Sequence, residues 1–439
     1  MAGAEIGFWP SVVERGGRGA HNSILTIRNQ QGELLHAQNR TPGRRLACLL
    51  ALAAVTAFGG AALAAPSKAK SPSEAMADAA RNGAGGGGLT VVADGLDNPR
   101  GIGFGPDGAL YVAESGSGGP VAPGNCITSP EGGGQSCFGR TGAVTRITRH
   151  SQHRVLTGLP SVAEAGGVAA SGPVDLGFSG RAGYLLIGNP GGGTATREQF
   201  ADPAARRFGK LLKADLHGIR AVADFPRFEE RRNPDNGTAA EPGFEIDSNP
   251  NGLLVRHRSQ LVTDAGGNDL LKVDRKGHIK VVAVFPPRLV DAPEGIPGLP
   301  PQIPMQAVPT SVVKGPDGAY YVGQLTGFPF PVGGARVFRV VPGHRPRVFA
   351  RGFTNIIDIA FDKRGRLYVL EIATNGLLSA GENELPVGRL VRVNRDGSRT
   401  TLASEGLNAP GGFVLGHGAA YITNNSILSD AGQVVKVAI

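Results

Sequence analysis

A strand–turn–strand pattern recurs at three places in the chain and limits its fold more than any other feature. The copies read PRGIGFGPDGALYVAE, PTSVVKGPDGAYYVGQ and IIDIAFDKRGRLYVLE, at residues 99–114, 309–324 and 356–371. Each is a short apolar strand, a glycine-containing turn and a second strand of alternating polarity, which is typical of a β-hairpin. Two more strands follow the first and third copies, at 142–159 and 388–407. Each repeat therefore predicts a four-stranded meander, the blade of a β-propeller.

Six such units can be counted along the chain. We expect the blades at about 98–160, 172–226, 252–285, 308–351, 355–405 and 411–439. The last unit has only three strands, and residues 89–96 (LTVVADGL) are expected to supply its outer strand and close the ring. Closure removes the exposed sheet edges that would promote aggregation. The sequence predicts an all-β fold, a single six-bladed propeller over residues 89–439.

The N-terminal part predicts export. Residues 44–64 combine a pair of arginines, a short Ala-rich apolar run and an A-x-A site that ends at Ala64, as in a secretory signal peptide. The apolar run is too short for a membrane span, so we expect no transmembrane segment in the mature chain. Residues 65–88 are typical of a flexible linker. Residues 1–43 form an N-terminal extension, which we interpret as a mis-assigned translation start.

Two cysteines remain after removal of this segment, Cys126 and Cys137, both within one Gly- and Pro-rich stretch. An even pair in an exported chain predicts a disulfide that staples the loop. The formal net charge of +9 is scattered along the sequence. Basic residues are not interleaved with stacking aromatics, so the composition argues against nucleic acid as a partner.

A polar side chain ends the second strand in five of the six predicted blades. These residues are Glu114, Asp264, Gln324, Glu371 and Asn424, and the second blade offers Gly188 or Asn189. Oxygen-bearing side chains at one repeat position could ring the channel and bind a hard cation such as Ca²⁺. Glu114, Asp264, Glu371 and Asn424 are therefore the candidate metal ligands. Alternatively, each accepts backbone N–H bonds from the turn that follows it, and recurs because the turn recurs.

Long loops leave the same face of the predicted propeller, at 114–141, 189–207 and 372–387. Long loops on one face of a rigid scaffold usually carry the binding surface. Phe328 and Phe330 alternate with prolines and form a stiff apolar tip, so with Gln324 they are the candidate ligand-binding residues. The alternative is that the two phenylalanines cover the channel mouth or a neighbouring loop.

Three segments carry a resemblance to a known family. They read IDSNPNGLLV at 246–255, LVTDAGGNDLLKVD at 261–274 and YYVGQLTGFPFPVGGARVFRV at 320–340. Through them the chain resembles the ScyD/ScyE family. The resemblance implies an exported six-bladed propeller and no established reaction.

Other motifs give little support for a specific chemistry. Asp247–Gly252 matches the first half of a calcium loop, but position twelve would be Arg258 and a strand follows, so we interpret it as an Asx-type turn. The sequence contains no G-x-S-x-G, H-E-x-x-H or C-x-x-C motif.

The sequence therefore favours a binding or scaffold module of the cell envelope, whose ligand or protein partner it does not name. Two enzyme alternatives stay open. One is a metal-dependent lactonase-like hydrolase with a divalent cation in the channel, held by Glu114 and Glu371. The other is a quinoprotein sugar dehydrogenase, for which His417 would be the base and Arg100 a cationic clamp.

Overall fold

The computed structural model describes residues 88–128, 134–237, 246–294, 296, 298–381 and 384–439. Within them the chain forms six antiparallel sheets and one short two-stranded ribbon. The predicted six-bladed all-β propeller is confirmed. The predicted extension (1–43), signal peptide (44–64) and all but the last residue of the linker (65–88) lie outside the described residues.

The first half of the chain supplies one closing strand and three blades. The closing strand is β1 (Thr90–Leu96). Blade 1 comprises β2 (Pro99–Phe104), β3 (Leu110–Glu114), a short β4 (Cys126–Thr128), β5 (Gln135–Ile147) and β6 (Gln152–Ala163). Blade 2 comprises β7 (Pro173–Ser179), β8 (Ala182–Ile187), β9 (Lys210–Asp215) and β10 (Gly218–Asp224). Blade 3 comprises β11 (Pro250–Val255), β12 (Ser259–Asp264), β13 (Asp269–Asp274) and β14 (Ile279–Val284).

The second half supplies a ribbon and the other three blades. The ribbon pairs β15 (Arg288–Asp291) with β16 (Gln302–Met305). Blade 4 comprises β17 (Pro309–Lys314), β18 (Tyr320–Gln324), β19 (Ala335–Val340) and β20 (Arg347–Phe353). Blade 5 comprises β21 (Ile356–Phe361), β22 (Leu367–Glu371), β23 (Arg389–Val393) and β24 (Arg399–Ala403). Blade 6 comprises β25 (Gly412–Gly416), β26 (Ala419–Asn424) and β27 (Gly432–Ala438), with β1 outermost.

The ring closes as the sequence predicts, by antiparallel pairing of β1 with β27. Thr90 lies opposite Lys436 and Leu96 opposite Gly432. One strand from the N-terminal side thus completes a blade built at the C-terminal end, and covers the edge of β27 that would otherwise be open. Leu96 is buried in this seam and packs in the cluster that includes Val434.

The recurring Pro-Asp-Gly turn between the first and second strands has a structural role. In blade 1, Asp107 accepts the backbone N–H of Ala109 and the hydroxyl of Tyr111, and pairs with Arg146 on β5. Blade 4 repeats these contacts with Asp317, Ala319, Tyr321 and Arg339. The most visible sequence repeat therefore ties the first three strands of a blade together.

The first strands of the six blades line the centre and contact one another in ring order. A side-chain-to-backbone hydrogen bond joins every pair of neighbouring blades. The pairs are Ser115–Pro173, Asp175–Leu253, Asn268–Val308, Thr310–Ile356, Asp358–Phe413 and Thr423–Arg100, at 2.7 to 3.1 Å. Inner strands have no strand partner on the channel side, so these contacts satisfy backbone groups that burial would otherwise leave unpaired.

The second strands end on one face of the propeller, which we call the upper face. Its connections carry the elements that the sequence analysis did not predict: α1 (Thr194–Glu198), α2 (Phe225–Arg232), 3₁₀ turns at Pro203–Arg207 and Leu377–Ser379, and the β15–β16 ribbon. The opposite, lower face has short turns, such as the one between β25 and β26. No helix among the described residues is long and apolar enough to cross a membrane.

We expect Leu96→Ala to lower the free energy of unfolding by about 3 kcal/mol, because it leaves a cavity in the seam that closes the ring. Val92→Ala is the matched control, since Val92 lies on the same strand and is 36% exposed. Urea denaturation followed by circular dichroism measures both. Equal stability of the two variants would contradict a ring that depends on this seam.

Candidate functional site on the upper face

The four candidate metal ligands are buried at the upper ends of their strands. Glu114, Asp264, Glu371 and Asn424 are each at most 1% exposed. Each accepts a backbone N–H from the loop that leads into its own blade, and the donors, at 2.6 to 2.8 Å, are Asp97, Asn249, Thr354 and Asn408. A backbone hydrogen bond thus recurs, but its donor lies in the loop before the blade and not in the following turn of the alternative interpretation. Asp264 also accepts the N–H groups of Gly266 and Gly267 from the turn that follows it.

Two of these carboxylates also have a cationic partner. Arg154 Nη2 lies 2.8 Å from Glu114 Oε2, and Arg389 Nη2 lies 2.6 Å from Glu371 Oε2. The hydroxyl of Thr145 donates a further hydrogen bond to Glu114. Buried carboxylates need such pairing, because an uncompensated charge in the interior is strongly destabilising. The oxygens of Glu114 and Glu371 are therefore engaged within the protein.

Within the described residues, no group of three or more His, Cys, Asp or Glu side chains lies where it could hold a metal ion. The metal ring over Glu114, Asp264, Glu371 and Asn424 stays a prediction. In blade 2 the register places Ile187 opposite Pro173, as Glu114 lies opposite Pro99. Blade 2 thus has an apolar residue at the ring position, where the sequence offered Gly188 or Asn189.

The predicted ligand-binding residues lie below the surface of the upper face. Gln324 is 4% exposed and its Oε1 has no hydrogen-bond partner. Phe328 and Phe330 are 7% and 3% exposed, pack edge to face at 6.4 Å, and belong to the same apolar cluster as Leu377 of the blade 5 loop. As placed, the two rings support the loops above them. Their role in ligand binding stays a prediction.

Exposed apolar side chains are concentrated in the upper-face loops. Among the described residues twelve large apolar side chains are exposed, and six of them lie on these connections: Val121, Ile246, Leu289, Val332, Leu378 and Val387. Leu289, Val332 and Leu378, at 63%, 68% and 51% exposure, form what we call the apolar patch.

Two contacts link the segments that carry the apolar patch, one between the blade 4 and blade 5 loops and one between the ribbon and the blade 4 loop. A Cβ built on Gly376 would lie 3.8 Å from Val332 Cγ2, which brings the blade 4 and blade 5 loops together. Arg288, next to Leu289, donates to the carbonyl oxygen of Gly334 at 2.8 Å. The patch is therefore built from the ribbon and the loops of blades 4 and 5.

The disulfide between Cys126 and Cys137 is confirmed, with the two residues directly opposite each other on β4 and β5. It closes the long blade 1 loop on the upper face. Arg140, further along β5, forms a two-pronged hydrogen bond with Asp202 at 2.9 Å for each contact, next to the 3₁₀ turn of blade 2. The loops of blades 1 and 2 are thus held together.

An acidic pair that the sequence analysis missed lies in the channel. The equivalent positions on the six inner strands are Gly101, Asp175, Gly252, Ser311, Asp358 and Gly412. Burial raises the pKa of Asp175 to about 8, with a further contribution from Asp358, and burial raises the pKa of Asp358 to about 7. The aligned inner strands could have revealed these two acids, two residues after the strand start.

Glycine at one of these positions makes room for an acid. A Cβ on Gly101 would lie 2.3 Å from Asp175 Oδ1, a distance that no side chain tolerates. Asp175 accepts the N–H groups of Leu176 and Leu253 at 2.7 Å each, and so bridges blades 2 and 3. The pair therefore joins blades and also titrates near neutral pH.

A second group of acids lies where blades 2 and 3 meet on the upper face. We call Glu229, Asp235, Asp247, Asp264 and Asp269 the acidic cluster. Its members come from α2, the segments on either side of residues 238–245, and the β12–β13 turn. Only Asp264 was singled out as a candidate ligand from the sequence. The signal that was missed is Asp269, an acid that starts a third strand directly opposite the strand-end acid Asp264.

No family model and no curated protein matches the chain. Solved structures match it as propellers, and three of them have identities of 9 to 16% and TM-scores of 0.41 to 0.45. One is a protein of unknown function from Bacteroides thetaiotaomicron (9% identity, TM-score 0.45, 80% of this chain and 75% of that one). The second is a putative gluconolactonase (10%, TM-score 0.41, 81% and 92%). The third is a putative oxidoreductase (glucose dehydrogenase) from Thermus thermophilus (16%, TM-score 0.43, 80% and 99%). Likeness at this level concerns architecture alone.

We expect Arg389→Met to destabilise the protein by about 2 kcal/mol, because it leaves buried Glu371 without its cation while the partly exposed arginine limits the loss. Arg395→Met, at an exposed turn of the same blade, is the control. Adding Glu371→Gln to Arg389→Met should restore part of the stability, because the buried charge is removed. Urea denaturation measures all three variants, and no difference between the two arginine variants would disprove the structural role.

We expect stability to fall as the pH rises through neutrality. The raised pKa values of Asp175 and Asp358 mean that the native chain holds protons that the unfolded chain has released, from about pH 4 to about pH 8. Asp358→Asn should reduce the loss of unfolding free energy between roughly pH 5 and 8 by ~1 kcal/mol or more. Asp94→Asn, exposed on β1, should leave it unchanged. Thermal melts across the pH range test this, and parallel curves for Asp358→Asn and wild type would contradict it.

Proposed function

We propose that the protein is an exported, non-catalytic binding module of the ScyD/ScyE type, which holds an apolar ligand or the apolar surface of an envelope protein against its upper face. The observation that carries the proposal is the apolar patch, Leu289, Val332 and Leu378, on three contacting segments. Apolar surface gathered on the loops of a rigid scaffold is the usual form of a recognition site.

The scaffold beneath the patch supports this role. Phe328 and Phe330 pack under the loops with Leu377, so the patch has a rigid base and loses little entropy when a partner binds. The disulfide and the Arg140–Asp202 contact fix the neighbouring loops of blades 1 and 2 in the same way. Residues 44–64, the proposed signal peptide, would deliver the propeller to an oxidising compartment that preserves the disulfide.

The enzyme alternatives have less support from the site. Glu114 and Glu371, the ligands a lactonase-like metal centre would use, are engaged by arginines and backbone N–H groups. His417, the base of the dehydrogenase alternative, lies in the β25–β26 turn on the lower face and contacts Phe104 edge to face. Arg100 lies at the start of β2, toward the upper face, and donates to the carbonyl oxygen of Ala170.

Substitution of the patch tests the proposal. The immobilised full chain is incubated with detergent-solubilised envelope of the source cells, and the captured components are quantified. Val332→Asp combined with Leu378→Asp should reduce capture of the specific component roughly tenfold or more, because each buried apolar side chain contributes about 1.5–3 kcal/mol.

Leu216→Asp is the matched control, since Leu216 is 91% exposed in the β9–β10 turn on the lower face. It should leave capture unchanged. Equal capture by wild type and both variants would refute binding through the patch. Turnover of simple lactones that chelator abolishes would favour the metal-dependent alternative.

A further inference from the structure

The acidic cluster includes two acids at a register position where blade 5 balances its charge. In blade 5 the acid that ends the second strand, Glu371, lies opposite Arg389 and pairs with it. In blade 3 the equivalent acid, Asp264, lies opposite Asp269. Like charges directly opposite on neighbouring strands are destabilising. The same register position thus holds an ion pair in one blade and two acids in another.

Asp264 itself is fully satisfied by the protein. Its carboxylate accepts the hydroxyl of Ser248 and the N–H of Asn249 at 2.6 Å each, and the N–H groups of Gly266 and Gly267 at 3.2 and 3.1 Å. These bonds organise the β12–β13 turn around it. Asp264 therefore positions the turn, and its own carboxylate needs no further partner.

Glu229 and Asp269 are buried with no partner for their oxygens. Glu229 is 1% exposed and Asp269 is 0% exposed, and neither oxygen of either carboxyl group has a hydrogen-bond partner. Burial of a carboxyl group without a hydrogen bond or a cation is costly. Two such groups in one cluster indicate that something outside the chain compensates them.

Among the described residues, the charged groups that raise the pKa values of these two acids are themselves acids. Burial, and then Asp264, Asp235 and Asp247, raise the pKa of Glu229 to about 9. Burial, and then Asp264, Glu229 and Asp235, raise the pKa of Asp269 well above its usual range. The cluster is a site of concentrated negative potential in the blade 2–blade 3 interface.

The turn backbone leaves space where the acids converge. A Cβ on Gly266 would lie 2.8 Å from Asp247 Oδ2, and a Cβ on Gly267 would lie 3.0 Å from Glu229 Oε2. Two consecutive glycines therefore let carboxylates from two other segments approach the turn. The carboxyl group of Glu229 points at the same turn that Asp264 organises.

We propose that the acidic cluster binds a Ca²⁺ ion, with Glu229, Asp235, Asp247 and Asp269 as its carboxylate ligands and Asp264 as the residue that positions the turn. All these donors are oxygens, and no histidine or cysteine belongs to the set, which selects a hard cation. Ca²⁺ accepts six to eight oxygens in flexible geometry, whereas Mg²⁺ demands a tight octahedron and retains its waters. Several carboxylates, two of them buried, suit the larger ion.

The site would complete its ligand set when the ion arrives. Among the described residues no three carboxylates lie where they could hold an ion as placed, so binding requires Glu229 and Asp269 to turn their oxygens toward it. Asp235 and Asp247 are partly exposed and give the ion a route from solvent. Asn268 donates to Asp235 Oδ2 at 3.0 Å and holds this acid toward the turn.

The experiment titrates Ca²⁺ into the purified full chain after treatment with EDTA, by isothermal titration calorimetry and by thermal melting at neutral pH. We expect one ion per chain, with a Kd of roughly 10⁻⁶ to 10⁻³ M, and a higher melting temperature with Ca²⁺. Glu229→Gln and Asp269→Asn should each weaken binding about tenfold or more. Because an amide does not have to take up a proton when it is buried, both variants should fold and melt higher than the wild type in EDTA at neutral pH.

Glu198→Gln is the control, since Glu198 is exposed on α1 outside the cluster, and it should bind Ca²⁺ as the wild type does. Mg²⁺ at the same concentrations should raise the melting temperature less than Ca²⁺ does. Absence of binding heat and of a melting shift with millimolar Ca²⁺ would overturn the proposal. A melting temperature that depends on pH less steeply in the two variants than in the wild type, and never responds to Ca²⁺, would show that the cluster holds protons only.

Discussion

The pairing of β1 with β27 is the constraint on which the other contacts depend. A propeller blade buries both faces only against its neighbours, so six blades form a stable core only when the last meets the first. Here that contact joins residues more than three hundred positions apart, because Thr90 lies opposite Lys436 and Leu96 opposite Gly432. Ser429 and Asp430 both donate to Asp97, next to the seam, and so lock the same junction from the upper face. The inner strands surround the channel only when the ring is closed, so the arrangement of the channel residues depends on this pairing.

Within the closed ring, the interfaces between blades are held by different hydrogen-bonding groups, which lie on inner strands, on a second strand or in the turns that follow second strands. Ser115, Thr310 and Thr423 donate a hydroxyl to a neighbouring carbonyl, whereas Asp175, Asn268 and Asp358 accept a neighbouring N–H. The backbone at these interfaces offers both N–H and C=O groups, so either an acceptor or a donor side chain can pair with it. The two solutions differ in their response to pH, because only the aspartates titrate. Asp175 and Asp358 therefore make the architecture itself sensitive to protonation, in a part of the molecule that needs no ligand.

Most of the architecture could be predicted from the sequence because blade hairpins are local. The Pro-Asp-Gly turns and the alternating second strands reflect contacts within a few tens of residues. The strand at 89–96 follows from counting, because the last blade lacks one strand and residues 89–96 belong to no other blade. The disulfide was predictable because its cysteines are the two that follow the predicted signal peptide. The ring position in blade 2 was not, because Gly188 and Asn189 are polar or small, and only the register opposite Pro173 identifies Ile187. The burial of Phe328 and Phe330 also depends on the ribbon and the blade 5 loop, which local patterning does not reveal.

The candidate site was harder to predict because a residue that recurs from blade to blade stabilises the fold, whereas a functional residue departs from the repeat. Glu114, Glu371 and Asn424 recur because one backbone hydrogen bond recurs, so their repetition reports stability. Functional residues are better sought at positions where the repeat leaves a buried acid without a partner. Glu371 opposite Arg389 is balanced, whereas Asp269 opposite Asp264 is not, and Glu229 adds a further buried acid without a partner. In blade 5 an arginine occupies this register position and pairs with the acid opposite it. An arginine at the same position in blade 3 could do the same. The acids found there instead lower the stability of the fold, and a bound cation would offset that loss.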